Sequence, residues 1–424
     1  MKILHLCKMD SGGGAADGFV RIHTALLSQG VDSVACVMRR HRHDVPSFSA
    51  PSLLSAAQRC RWMLGRAWAK RRRLALKPVG VYDFDAEGNF PADPIARHAL
   101  GLASRWDLVL VHWSGGFVNP ASVRRIADAL GARVALWQVD MAHATGGCHS
   151  ARGCEKYRRG CGACPLLKSE DPGDVSARQS AERRRAWEAV KPILYAPSRW
   201  SARQALESSI LRGMELRVIP IPLDLDILEP GSSRDARGAL GLPVDERVVL
   251  VRGIDPAITY KGFALFTEAL RLLDGLLATS GSRLHVAVVG EPGLVPSGLR
   301  TIRCTDLGPL RGDAALAAAY QACDFFVSPS TNDAGPMMVG EAMSCGRPVV
   351  AFPVGSAADL VEDGVNGRIV TPIGSVAGLA EAIQNYVVMD GSQLLLEQQA
   401  SAEVARRVFS PEHFREQITD SLTK

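Results

Sequence analysis

Two separate series of short, β-branched apolar runs, each alternating with segments of helical periodicity, constrain this chain more than any other feature. The first series is Lys2 to Leu6, Ser33 to Met38, Asp107 to Trp113, Arg133 to Val139 and Ile193 to Ala196. The second starts afresh at Arg247 to Gly253 and continues through His285 to Gly290, Asp324 to Ser328 and Pro348 to Pro353. Such alternation implies parallel sheets covered by helices on both faces, so the class is α/β, and the restart predicts a second sheet. Length agrees, because 424 residues exceed what one hydrophobic core usually serves. Between the series, Val218-Ile219-Pro220-Ile221-Pro222-Leu223-Asp224 is stiff and cannot continue a helix. A domain boundary is expected there, with residues 1–220 on one side, 221–405 on the other and a cleft between them.

Composition excludes several classes. No run of 18 or more apolar residues occurs, so no membrane-spanning helix is expected. The first residues, Met1 to Leu6, enter an apolar strand at once and lack the marks of a signal peptide, which predicts a cytoplasmic protein. Thiols stay reduced there, so the ten cysteines are expected as core residues or metal ligands rather than a disulfide framework. The net charge of +5 names no partner, but its distribution is uneven. No acid occurs between Asp44 and Asp83, while Arg59, Arg61, Arg66, Lys70, Arg71, Arg72, Arg73 and Lys77 crowd that interval. Met63, Leu64, Ala67, Trp68 and Leu74 recur among them at near-helical spacing. Residues 58–77 therefore read either as an amphipathic helix against anionic lipid at the inner face of the cell membrane or as a solvated basic face. No nucleic-acid-binding motif accompanies the patch, so nucleic acid is not an expected partner.

Two loops could carry chemistry. After the first strand comes Asp10-Ser11-Gly12-Gly13-Gly14, then a helical pattern with Phe19, Ile22, Leu26 and Leu27 on one face, ending at Gly30. Glycines let the backbone pass close to a ligand and a helix start attracts negative charge, although a tight structural turn explains the same residues. The second loop follows a late strand and runs from Ser328 through Asp333, Gly335, Pro336, Met337 and Met338 to Glu341. Ligands of open α/β sheets bind beyond the carboxyl ends of strands. With a helix starting near Met337, its amides would face a diphosphate and the two acids would accept hydrogen bonds from sugar hydroxyls.

This second segment resembles the acidic E-x7-E loop of retaining glycosyltransferases of family 4, which have the GT-B fold, with Asp333 in place of the first glutamate. The resemblance continues in Glu341 to Ala351 and Asp359 to Arg368, and in order through Ser11 to Gly14, Ala196 to Trp200, Ile219 to Asp224 and Tyr260 to Phe263. It implies two Rossmann-like domains facing across a cleft, with a C-terminal helix, residues 406–424, crossing back to the first. It also implies a cytoplasmic transferase, moving a sugar from a UDP- or GDP-linked donor to a glycan or polyprenyl-linked acceptor of surface-polysaccharide assembly. Asp333 would bind the transferred sugar, Glu341 the ribose hydroxyls, and Arg252 with Lys261 the diphosphate, so no catalytic metal is expected. Asp140 holds a family position for acceptor or sugar contact, whereas Val139 replaces the family's histidine, leaving His112, His143 or His149 as substitutes. An epimerase on the same fold, or a nucleotide-sugar sensor or scaffold without turnover, is the rival reading.

Residues 146–165 hold Cys148, Cys154, Cys161 and Cys164 within seventeen positions. The set predicts a structural tetrahedral zinc, with a redox cluster or an iron–sulfur centre as alternatives. A similar cysteine-rich insertion occurs in family-4 enzymes of surface-polysaccharide assembly.

Overall fold

The computed structural model describes residues 1–76, 78–85 and 90–423, without the side chains of residues 72, 73 and 75; Lys77 of the basic segment lies outside the described residues. The chain divides into two compact units, Met1–Ile221 together with Phe414–Lys424, and Pro222–His413.

In the first unit the apolar runs form β1 (Lys2–Met9), β2 (Asp32–Arg39), β3 (Ser47–Ser49), β4 (Leu108–Val111), β5 (Arg133–Trp137), β6 (Ile193–Ala196) and β7 (Leu216–Val218). They lie in the order β3-β2-β1-β4-β5-β6-β7 with every pairing parallel. Helices must then cover both faces, and Gly14–Ser28 covers part of one by burying Phe19, Ile22 and Leu26. From Phe414 onward the final helix, Pro411–Thr423, also belongs to this unit. Its Phe414 and Ile418 join the cluster of Trp137 and Tyr195, and Ser421 Oγ lies 2.5 Å from the Tyr195 hydroxyl. Residues 406–424 are thus not one helix. Gly391–Phe409 stops first, inside the second unit, and Pro411 opens a new helix because its ring suits a first turn but cannot continue one.

The second unit holds β8 (Arg247–Gly253), β9 (Leu284–Gly290), β10 (Arg303–Gly308), β11 (Phe325–Ser328), β12 (Val349–Ala351) and β13 (Gly367–Ile369), ordered β10-β9-β8-β11-β12-β13 and again parallel. The strands that the sequence pattern does not announce, β3, β7, β10 and β13, are the four sheet edges. Edge strands are short and half-exposed, so Ser-Phe-Ser or Arg-Cys-Thr-Asp-Leu-Gly needs no apolar run.

Each sheet reverses its strand order beside its first strand, between β1 and β4 and between β8 and β11. Loops leaving the carboxyl ends there diverge to opposite faces and open a crevice for a ligand. Among the described residues, no helix is long and apolar enough to cross a membrane.

One buried ion pair ties the second sheet to its covering helix. Arg237, 6% exposed, donates to Asp324 Oδ2 at 2.9 Å and to the carbonyls of Ala322, Val244 and Glu246, while the same carboxylate oxygen takes the Val248 amide at 2.7 Å. Removing one member strands the other charge. Asp324→Ala is therefore expected to cost about 3–5 kcal/mol in urea denaturation, and Asp324→Asn less, because the amide oxygen still accepts both hydrogen bonds.

Candidate functional site

The loops at the β8–β11 switch point are held together by backbone. Gly262 follows the turn Thr259–Lys261 and has φ +72, and a Cβ on it would stand 1.8 Å from the Pro329 carbonyl oxygen. Only glycine permits that approach. The Tyr260 carbonyl accepts the Thr331 amide at 2.8 Å, completing the seam. Lys261 Nζ is thereby brought to 2.5 Å from Asp333 Oδ2, with the two side chains 29% and 13% exposed. The other Asp333 oxygen takes the Gly335 amide at 3.3 Å.

Gly335 and Pro336 lead into the helix Met337–Ser344, whose N-cap, Pro336, has no capping side chain to turn over the first-turn amides of Met337 and Met338. Gly355 backs this turn, since a Cβ there would meet Pro336 Cδ at 2.7 Å and the Asp333 carbonyl at 2.9 Å. Glu341, one turn further on, is 3% exposed and accepts the Tyr320 hydroxyl at 2.7 Å. An ammonium beside a helix N-terminus suits a phosphate, and the adjacent carboxylates suit hydroxyls. Arg252, next to last in β8, has an exposed side chain. The sequence reading passed over the pair beside it. Gly253 is in register with Gly290, whose Cβ would lie 2.3 Å from the Gly253 carbonyl, so β8 and β9 end side by side without side chains. A glycine closing each of two consecutive apolar runs was the available signal.

In the first unit, Gly12 and Gly13 have φ +94 and +127, and nothing lies within 4 Å of where a Gly13 Cβ would be. Gly13 caps the helix Gly14–Ser28 without a side-chain hydrogen bond, so backbone is open to a ligand along Gly12, Gly13 and Gly14. After β5, Asp140 takes the Ala142 amide at 2.7 Å and lies 2.6 Å from His149 Nδ1, while His149 Nε2 is 3.0 Å from Asp83. Burial opposes charge on His149, but Asp140 and Asp83 outweigh it and raise its pKa to about 10. These groups adjoin a small solvent-open pocket lined by Asp83, Trp113, Val139, His143, Arg183 and Trp187 among others. Arg183 spans Asp85 at 2.5 Å and the carbonyls of Ala142 and Thr145 at 2.6 and 2.9 Å. Neither Asp83 nor Arg183 stands in a recognisable local motif, and only the fold brings them together.

His112 requires a correction. Expected at a ligand, it is wholly buried, because the alternation after β4 turns it toward Phe19 of the helix Gly14–Ser28. It belongs to a chain of hydrogen bonds whose direction the partners assign. The Pro46 carbonyl only accepts, so His23 Nε2 carries the proton at 2.9 Å. His23 Nδ1 then accepts from the Ser33 hydroxyl at 2.7 Å, Ser33 from His5 Nε2 at 2.8 Å, and His5 Nδ1 from His112 Nε2 at 2.8 Å. Burial holds all three rings neutral, lowering His23 to about 4, His112 to about 3 and His5 well below the usual range.

The zinc expectation is not carried either. The four cysteines lie in one loop region and act electrostatically on one another, and burial raises the Cys148 thiol to about 12. Among the described residues, however, no group of three or more His, Cys, Asp or Glu is arranged to hold a metal ion. Cys148 and Cys164 pack instead against Tyr82, Phe84 and Leu167.

Residues 246–388 match the family glycosyl transferases group 1. D-inositol 3-phosphate glycosyltransferase of Mycobacterium tuberculosis is 34% identical over 176 residues, 40% of this chain. The match spans 36% of that relative, about a third of its length. Among solved structures, Anabaena HepE in complex with UDP and glucose is 18% identical with a TM-score of 0.64, each chain covered in full. WaaG, a glycosyltransferase involved in lipopolysaccharide biosynthesis, is 15% identical with a TM-score of 0.60, covering 98% of this chain and 99% of the other. The chain has the GT-B fold. The family match encloses Arg252, Lys261, Asp333, Gly335, Pro336, Met337, Met338 and Glu341, while Gly12 to Gly14, Asp140 and the cysteines lie outside it.

The neutral histidines have a measurable consequence for this GT-B chain. Their folded pKa values lie below the ordinary 6.5, so their stabilising contribution is complete above pH 6.5 and is lost as pH falls toward 4. His23 and His112 should each cost about 2 kcal/mol by pH 5. In urea melts at several pH values, His112→Asn is expected to be less stable at pH 7 but to decline less steeply on acidification.

Proposed function

We propose that this chain is a retaining glycosyltransferase that binds a UDP- or GDP-linked sugar in its second unit. It passes the sugar to a glycan or polyprenyl-linked acceptor, at the cytoplasmic face of the cell membrane, in polysaccharide or lipopolysaccharide assembly. The observation that carries the reading is the Lys261–Asp333 pair, 2.5 Å apart at the start of the helix Met337–Ser344 and at the switch point of the second sheet. Supporting it are the family match across that sheet, the UDP and glucose bound by HepE, and the lipopolysaccharide biosynthesis named for WaaG.

In this mechanism Asp333 holds Lys261 until a donor arrives. The ammonium then exchanges to the diphosphate, and the freed carboxylate accepts a hydroxyl of the transferred sugar. As the bond from C1 to the diphosphate breaks, negative charge builds on the leaving oxygen. Lys261, Arg252 and the amides at Met337 and Met338 stabilise it. The departing phosphate accepts the proton of the acceptor hydroxyl, whose oxygen bonds to C1 on the same face. Glu341 holds the ribose, Asp140 contacts acceptor or sugar, and Gly12 to Gly14 offer a further backbone surface to phosphate. Val139 leaves this chain without a histidine at that position, and His143, beside it in the cavity, is the polar replacement.

Calorimetry with UDP and GDP tests the donor site: one nucleotide should bind, and Lys261→Ala should weaken it about tenfold to a hundredfold, the value of a charge-assisted hydrogen bond. Glu341→Gln should weaken it less. Binding of neither nucleotide would overturn the reading. Retention is checked by the proton spectrum of the product formed from an α-linked donor, where a β-linked product would sink front-face transfer.

A further inference from the structure

The basic segment forms the helix Ala56–Leu76 in the first unit, and its two long faces differ. One is anchored. The Trp62 ring packs edge-on against Phe90 with centroids 5.2 Å apart, Arg66 lies over Trp62 and donates to the Gly116 carbonyl at 2.6 Å, and Ala69 is 4% exposed. At 100° per residue, the opposite face carries Cys60, Met63, Leu64, Ala67, Trp68, Arg71 and Leu74. This is the i, i+3, i+4, i+7 stripe that ordinarily turns into a core, yet here it faces outward. Met63, Leu64, Trp68 and Leu74 are 54%, 67%, 61% and 59% exposed. Arg59, Arg61, Lys70 and Arg71, all exposed, border or interrupt the stripe, and the helix contains no acid.

We propose that this outward face is a docking surface for an anionic lipid bilayer. The apolar stripe would enter the boundary between headgroups and acyl chains, and the bordering cations would meet lipid phosphates, each adding to the attraction. Two alternatives fit less well. A second copy of the chain seated on this face would set Arg59, Arg61, Lys70 and Arg71 against the same four residues. A nucleic acid would leave Met63, Leu64 and Leu74 against phosphate and water. The inference goes beyond the donor site and does not depend on turnover, since a catalytically dead chain would bind lipid equally.

The test is vesicle flotation of the full chain, with phosphatidylcholine alone and with roughly one-third phosphatidylglycerol added. Partition should be at least tenfold stronger on the anionic vesicles and should weaken as salt rises. The double variants Met63→Ser with Leu64→Ser, and Arg61→Gln with Lys70→Gln, should each partition about tenfold more weakly while keeping the wild-type thermal midpoint and nucleotide affinity. Because all four side chains are exposed, loss of folding is not expected and the thermal midpoint reports it. Equal partition on both vesicle types, or variants that float like wild type, would overturn the proposal. So would a dimer, seen by light scattering, that the Met63→Ser, Leu64→Ser chain fails to form.

Discussion

The geometry at the β8–β11 switch point depends on one backbone contact, the approach of Gly262 to the Pro329 carbonyl, closer than any side chain would permit. That contact seals the loop after β8 to the loop after β11 and carries Lys261 onto Asp333. Without it the ammonium would have no fixed relation to the helix Met337–Ser344. A long lysine on a mobile loop is a diffuse charge, whereas the same lysine on a seam made of backbone is a positioned one. The glycines at 253, 290 and 355 extend the same device, clearing or closing space around strand ends where a ligand would lie.

The first unit shows how environment sorts one residue type into opposite roles. His5, His23 and His112 sit in an apolar interior, His5 bonded to His112 directly and to His23 through Ser33, and stay neutral because no carboxylate neutralises a charge there. His149, barely more exposed, lies between Asp83 and Asp140 and stays charged. Burial acts in the same direction on all four, and the nearby carboxylates decide the difference. A neutral chain of rings suits a core, and a charged ring that orients two carboxylates beside an open cavity suits binding of a polar ligand.

The strands of the sheet interiors were legible because a strand buried on both faces must be apolar almost throughout, as in Val248 to Val251. The edges were not, since half their contacts are with water. Motif reading singled out Lys261 and Asp333, which the fold brings together, but misplaced His112. Its place at a strand end suggested an outward side chain, and only the packing of Phe19 over it shows the reverse. The cysteine set gained no support for a related reason: spacing along the chain counts thiols, but a metal needs several donors converging on one point, and among the described residues Cys148 and Cys164 pack against Tyr82 and Leu167.

By itself the sequence determined the α/β class, two parallel sheets, the loops at their switch points and the outward chemistry of the basic helix. These follow from periodicity and residue type, which act locally along the chain. Only the tertiary structure decided that Asp83 and Arg183 meet the loop after β5, that Gly253 lies beside Gly290, and that Pro411–Thr423 packs on Trp137 and Tyr195. Those pairings join residues from distant parts of the chain, and a contact of that kind is chosen by the packing of the whole unit rather than by any local pattern.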